Sequence, residues 1–92
     1  MKRAHLFIIG DVVGVGFRAW TVRNAKELGL VGWVRNANHN TVEAVFEGEE
    51  EKVKEMIERC KKGPEVAWVE KVDVKWEKAK NEFDGFKILL DT

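Results

Sequence analysis

The sequence predicts an α+β sandwich: two helices on one face of an antiparallel sheet, in the order β-α-β-β-α-β, with a short extra C-terminal strand. Three observations predict it. Apolar residues recur with period two, or as short runs, in several stretches of strand length. Two other stretches carry apolar residues at helical spacing instead. Turn-forming residues separate these stretches, and no Pro/Gly/Ser-rich linker interrupts the 92 residues. That length allows one domain, residues 1–92.

Residues 4 to 13 read as the first strand, with Leu6, Phe7, Ile8, Ile9, Val12 and Val13. His5 is placed at its end. A glycine-rich turn follows, Val13-Gly14-Val15-Gly16-Phe17-Arg18. Residues 19 to 29 read as a helix whose apolar face is Ala19, Val22, Ala25 and Leu28, with Gly29 suited to its end. Trp20 and Arg23 lie off that face. Trp20 there either lines the mouth of a site or covers the sheet edge, and Arg23 and Arg35 read as surface charges.

Residues 31 to 36 form the second strand, and Asn36 to Asn40 a hairpin loop, because Asn tolerates positive φ. Residues 41 to 47 alternate, Val42, Ala44 and Phe46 facing one way, Thr41, Glu43, Val45 and Glu47 the other. Residues 49 to 61 form the second helix. Val53, Met56, Ile57 and Cys60 share a face, acids sit at its positive end, bases at its negative end, and Gly63-Pro64 stops it. In the strand at residues 66 to 77, Ala67 and Val69 are odd while Val72, Val74 and Trp76 are even. A bulge near Glu70 reconciles the two phases. The last strand, residues 83 to 90, puts Phe86, Ile88 and Leu90 on one face. This order is the split-βαβ, ferredoxin-like pattern, which by itself specifies no activity.

Composition excludes several mechanisms. The chain has no Ser, no Tyr and no Gln, so a Ser-His-Asp triad is impossible. Two His and one Cys make a poor metal-ligand supply, so no metal and no cofactor are expected. Charge sums to zero, 16 basic against 16 acidic side chains, which argues against a nucleic-acid partner. The acidic, non-aromatic set Thr41, Glu43, Val45 and Glu47 argues against RNA stacking on the sheet. No apolar run approaches the ~20 residues of a membrane helix, and Leu6 to Ile9 is too short for a leader. The lone Cys60 reads as a helix-core residue and fits a reducing compartment. The expectation is a soluble, cytoplasmic monomer. Its 12 Glu and 11 Lys lean toward a thermophile, and its five Asn against. His39 reads as exposed and idle.

The charge sum also hides two unlike halves. Residues 1 to 46 carry six basic and three acidic side chains, and residues 47 to 92 ten and thirteen. The glycine turn lies in the positive half. Gly14 and Gly16 let the amides of residues 14 to 18 point into one concavity at a helix N-terminus, which is a nest for an anion. Arg18 at the rim adds a planar fork matched to phosphate oxygens. Gly14 to Ala19 also fits the G-x-G-x-x-A dinucleotide fingerprint, but Arg35 and Asn36 stand where its acid belongs. A tight turn with no ligand is the third reading.

Gly10-Asp11-Val12-Val13-Gly14-Val15-Gly16-Phe17-Arg18 resembles the first acylphosphatase signature, G-x-V-Q-G-V-x-F-R. Gly32-Trp33-Val34-Arg35-Asn36, followed by Thr41-Val42 and Gly48, resembles the second. The likeness runs through Gly63-Pro64 to Phe86. Two departures stand out: Val13 replaces the family's Gln, and Asn40 its hairpin glycine, where Asn would tolerate positive φ. The resemblance implies hydrolysis of acyl phosphates to a carboxylate and inorganic phosphate, the latter also a competitive inhibitor. It implies Arg18 and the amides of Gly14, Val15, Gly16, Phe17 and Arg18 as the phosphate-binding groups, and Asn36 as the residue that orients water. Arg18 and Asn36 are thus the expected catalytic residues. The alternative is a non-catalytic, phosphate- or anion-binding regulatory module on the same fold.

Overall fold

The computed structural model describes residues 1–90. Five strands and two helices follow one another as β1 (Lys2–Asp11), α1 (Phe17–Glu27), β2 (Val31–Asn38), β3 (Thr41–Gly48), α2 (Glu50–Lys62), β4 (Trp68–Glu77) and β5 (Phe86–Ile88). The sheet order is β4-β1-β3-β2-β5. Both helices pack on the face formed by Ala4, Leu6, Ile8, Val34, Val42, Ala44 and Phe46, all wholly buried. The split-βαβ sandwich is therefore as the sequence predicts.

The sheet is not wholly antiparallel, because β5 runs parallel to β2, pairing Gly32 with Phe86 and Val34 with Ile88. The reason lies in the connection. After β4, at one edge, the chain crosses the face away from the helices and reaches the other edge. On its way Asn81 donates its N–H to Glu47 Oε1 at 2.8 Å, and the Phe83 ring lies 4.8 Å from the Arg3 guanidinium carbon. β5 keeps only three paired residues of the eight expected. Phe86 is buried, but Leu90 is exposed.

That crossing also explains why all eight residues of β3 are buried, charged ones included. Arg3 Nε donates to Glu47 Oε2 at 2.9 Å, and Arg3 Nη2 to Glu82 Oε1 at 2.8 Å. Burial alone would push the Glu47 carboxyl up, but the amides of Asn81 and Lys80 and the Arg3 guanidinium override it and hold it below the usual range. Further along, Glu43 accepts from Arg35 Nε at 2.7 Å and lies 2.6 Å from His5 Nε2. His5 therefore stands inside β1, opposite Val45, and not at the strand's end. Arg35 is exposed, the surface charge expected, and is ion-paired to Glu43.

The apolar face of α1 is rotated from the expected one. Phe17, Thr21, Ala25 and Leu28 are buried, and Ala19 is exposed. The helix begins two residues earlier than predicted, so Phe17 anchors it, and Thr21 is hidden because its hydroxyl donates to the Phe17 carbonyl at 2.8 Å. Trp20 packs on Phe17 with ring centroids 5.2 Å apart. At the other end Gly29, at φ 71°, closes the helix: its N–H donates to the Lys26 carbonyl and that of Leu30 to Ala25. The second helix buries Val53, Met56, Ile57 and Cys60, as its spacing predicts. Burial pushes the Cys60 thiol up, so it is inert packing. In β4, Ile9 pairs with Lys71 and Gly10 with Val69, leaving Glu70 as the extra residue of the expected bulge.

Candidate active site

The site forms where β1 hands over to α1. Gly14 and Gly16 adopt φ 82° and 79°, the left-handed region that side chains resist. Beyond the adjoining residues, no protein atom lies within 4 Å of a Cβ built on either one. The backbone conformation, not crowding, therefore demands glycine at these positions. Gly16 is the N-cap of α1, and no side chain caps the helix. The first intrahelical bond runs from the Trp20 N–H to the Gly16 carbonyl at 3.0 Å. The amides ahead of Trp20 thus project toward the helix N-terminus, where the partial positive charge collects. The first turn contains no acid to neutralise it.

Asn36 reaches the same place by sheet register. It pairs with Val42 and lies in phase with Val34 and Gly32, so its side chain stands on the helix face. Ala37 is then an extra residue, since Asn38 pairs with Thr41. This bulge lets β2 run two residues past its expected end and shortens the loop to His39 and Asn40. The turn-stabilising role falls to Asn38, whose Oδ1 accepts the Asn40 N–H at 3.0 Å. Asn40 itself needs no positive φ; among the described residues the one non-glycine there is Asn81.

A cavity of about 220 Å³ results, lined by Gly14, Gly16, Phe17, Arg18 and Asn36, with Val12, Ala19 and Ile88 completing it. Five of the six residues singled out from the sequence meet in this one space. The sixth, Val15, is not among the lining residues, and its side chain packs against the core. The Phe17 side chain is buried beneath the nest, where a Cβ on Gly63 would come within 2.9 Å of its ring. The helix break at Gly63 is thus what leaves room for the nest's anchor. Sequence reasoning missed Val12, Ala19 and Ile88 as walls. The first signature contains Val12, but Ile88 arrives only through the parallel pairing of β5. Among the described residues no three His, Cys, Asp or Glu side chains gather to hold a metal.

A ferredoxin-like sandwich that brings a glycine nest, a guanidinium and a carboxamide to one small cavity is a scaffold for handling an anion. Comparison with known proteins narrows that class. The acylphosphatase family model matches residues 4–88. An acylphosphatase of Roseiflexus sp. (strain RS-1) is 53% identical over 89 residues, covering 97% of this chain and 96% of the relative. One from Thermococcus kodakarensis is 49% identical over 87 residues, covering 95% and 94%. The crystal structure of acylphosphatase from Bacillus subtilis superposes with a TM-score of 0.93 at 29% identity, covering 98% of this chain and all of that one. The chain belongs to the acylphosphatase family, hydrolases of the mixed anhydride between a carboxylic acid and phosphate.

Proposed function

We propose that the chain hydrolyses acyl phosphates by direct attack of water on phosphorus, with Arg18 and the amides of residues 14–18 holding the phosphoryl group and Asn36 positioning the water. The observation that supports this most is the convergence of Arg18, Gly14, Gly16 and Asn36 on one cavity at an uncapped helix N-terminus. A phosphoryl-transfer transition state spreads charge over three equatorial oxygens. Fixed amides and one guanidinium stabilise that charge without reorganising. The leaving group is a carboxylate, so it departs without a strong acid. The water needs orientation more than deprotonation, and a carboxamide both donates and accepts.

In the step itself the water oxygen bonds to phosphorus and the bond from phosphorus to the acyl oxygen breaks. Its electron pair leaves with the carboxylate, and the water's proton passes to a phosphoryl oxygen. The products are a carboxylate and dihydrogen phosphate. The reading extends to a monomer of one domain, residues 1–92, working in the cytoplasm without metal or cofactor, with inorganic phosphate as product and competitive inhibitor. Two facts are consistent with that compartment: Cys60 is a buried free thiol, and no helix among the described residues is long and apolar enough to cross a membrane. Hydrolysis in heavy-oxygen water tests the attack at phosphorus. The label is expected in phosphate; label in the carboxylate would place the attack at the carbonyl carbon and contradict the mechanism.

A further inference from the structure

Arg23 stands one turn up α1 from the phosphate cavity. It is four residues beyond Ala19, an exposed wall of that cavity whose side chain is a single methyl group. Four residues of α-helix rise about 6 Å. Side chains on a helix lean back toward its N-terminus, over the residues three and four places earlier. Beneath Arg23 those residues are Trp20 and Ala19. Trp20 is turned inward onto Phe17 and the core, and Ala19 is too small to intervene. The exposed Arg23 side chain therefore has a clear reach to the cavity mouth.

The protein leaves the charge of Arg23 unanswered. By helical spacing its partner is Glu27, four residues on and the only acid in α1. Arg59 of α2 takes that carboxylate instead, its Nη1 donating to Glu27 Oε1 at 2.8 Å while its Nη2 donates to Glu55 Oε2 at 2.6 Å. Arg3, Arg35 and Arg59 are all ion-paired, whereas Arg23 forms no ion pair among the described residues. A guanidinium held near the rim of a site with its charge unmatched is available to a substrate anion.

We infer that Arg23 is a specificity-determining residue, which favours acyl phosphates whose acyl group carries a carboxylate of its own. The inference rests on the acylphosphatase reading. Attacking and leaving oxygens are roughly in line, so water held by Asn36 sends the acyl group out on the side away from Asn36. Of the exposed wall residues, Ile88 adjoins β2, the strand of Asn36, and Gly14, Gly16 and Ala19 do not. The acyl group therefore leaves past the start of α1, within reach of Arg23. An exposed guanidinium–carboxylate pair is worth up to about a fivefold gain in binding.

The test measures kcat/KM for butyryl and succinyl phosphate, alike in chain length and different in the terminal carboxylate, in the wild type, Arg23→Gln and Arg23→Glu. The inhibition constant of inorganic phosphate is measured beside each. Gln and Glu resemble Arg in helix propensity, so the fold is retained. The succinyl-to-butyryl ratio is expected to fall about threefold in Arg23→Gln and about tenfold in Arg23→Glu. Salt at about 0.5 M should remove most of that difference. The phosphate constant in Arg23→Gln should stay within about twofold, because Arg23 does not line the phosphate cavity and its field there is screened. A ratio unchanged in both variants, even with kcat/KM lowered for both substrates alike, overturns the assignment while leaving the acylphosphatase reading intact. So does a ratio no lower in Arg23→Glu than in Arg23→Gln. Failure of the wild type to turn over either substrate overturns that reading itself.

Discussion

The two helices of this protein begin in opposite ways. At α2, Glu49 is the N-cap, Glu50 and Glu51 occupy the first turn, and Lys54 reaches back to Glu50 at 2.9 Å. The positive end of that helix is answered by the chain's own acids. At α1 the N-cap is a bare glycine, no acid occupies the first turn, and Arg18 adds positive charge where the dipole is already positive. A cation at such an end destabilises a helix. Under the proposed function, the difference separates a helix end built for stability from one held ready for an anion. The same contrast runs across the molecule. On the far face of the sheet Arg3, Glu47 and Glu82 satisfy one another, whereas Gly14, Gly16 and Arg18 line a cavity.

Truncating a polar side chain at the start of α1 should therefore damage activity more than stability, and truncating an acid at the start of α2 should do the reverse. The largest effect is expected for Arg18→Ala, about a thousandfold loss in kcat/KM together with loss of inhibition by inorganic phosphate, and no drop in Tm. Asn36→Ala should cost kcat about a hundredfold or more while the phosphate inhibition constant stays close to wild type. If Asn36→Ala kept wild-type kcat, water positioning would be the wrong role. Next in size is Gly16→Ala, which forces a Cβ into the left-handed region and should cost about 1–2 kcal/mol in urea unfolding as well as activity.

The smallest effect is expected for Glu50→Ala, a slight lowering of Tm that added salt erases, with unchanged kinetics. Its sign with pH follows from Lys54, whose ammonium holds the Glu50 carboxyl below its usual value. The folded-state pKa lies below the unfolded one, so the contribution is present at neutral pH. It fades as pH falls through the folded value. Thermal melts of wild type and Glu50→Ala should therefore converge in acid. A Glu50→Ala variant that lost activity would erase the distinction between the two helix ends.

How far the sequence discloses this arrangement depends on the range of the interactions. Local patterns are legible: the Val53, Met56, Ile57 and Cys60 stripe, the bulge at Glu70 that reconciles two phases, and the turn torsions at Gly14 and Gly16 each depend on neighbouring residues alone. The face of α1 is less so, because Thr21 looks polar until its hydroxyl is satisfied by the Phe17 carbonyl. Alternation in β3 shows which side chains share a face but not whether that face is covered. The partners that bury Glu47, namely Arg3 and the Asn81 amide, come from 44 and 34 residues away. The parallel direction of β5, and with it the placement of Ile88 in the site, depends on the path of the crossing segment, which has no period to read. Convergence of Arg18 and Asn36 was implied by the family resemblance; the sheet register supplies its physical basis.

The central claim is that an amide nest, one guanidinium and one carboxamide suffice for acyl phosphate hydrolysis. The measurement that tests it most directly is phosphate release from benzoyl phosphate by the purified protein in excess chelator, with a phosphomonoester as control. Rapid turnover of benzoyl phosphate, undiminished by chelator, beside an inert monoester is the predicted result. No turnover with phosphate still bound would leave a regulatory anion-binding module, and a rate that collapsed in chelator would contradict the metal-free mechanism.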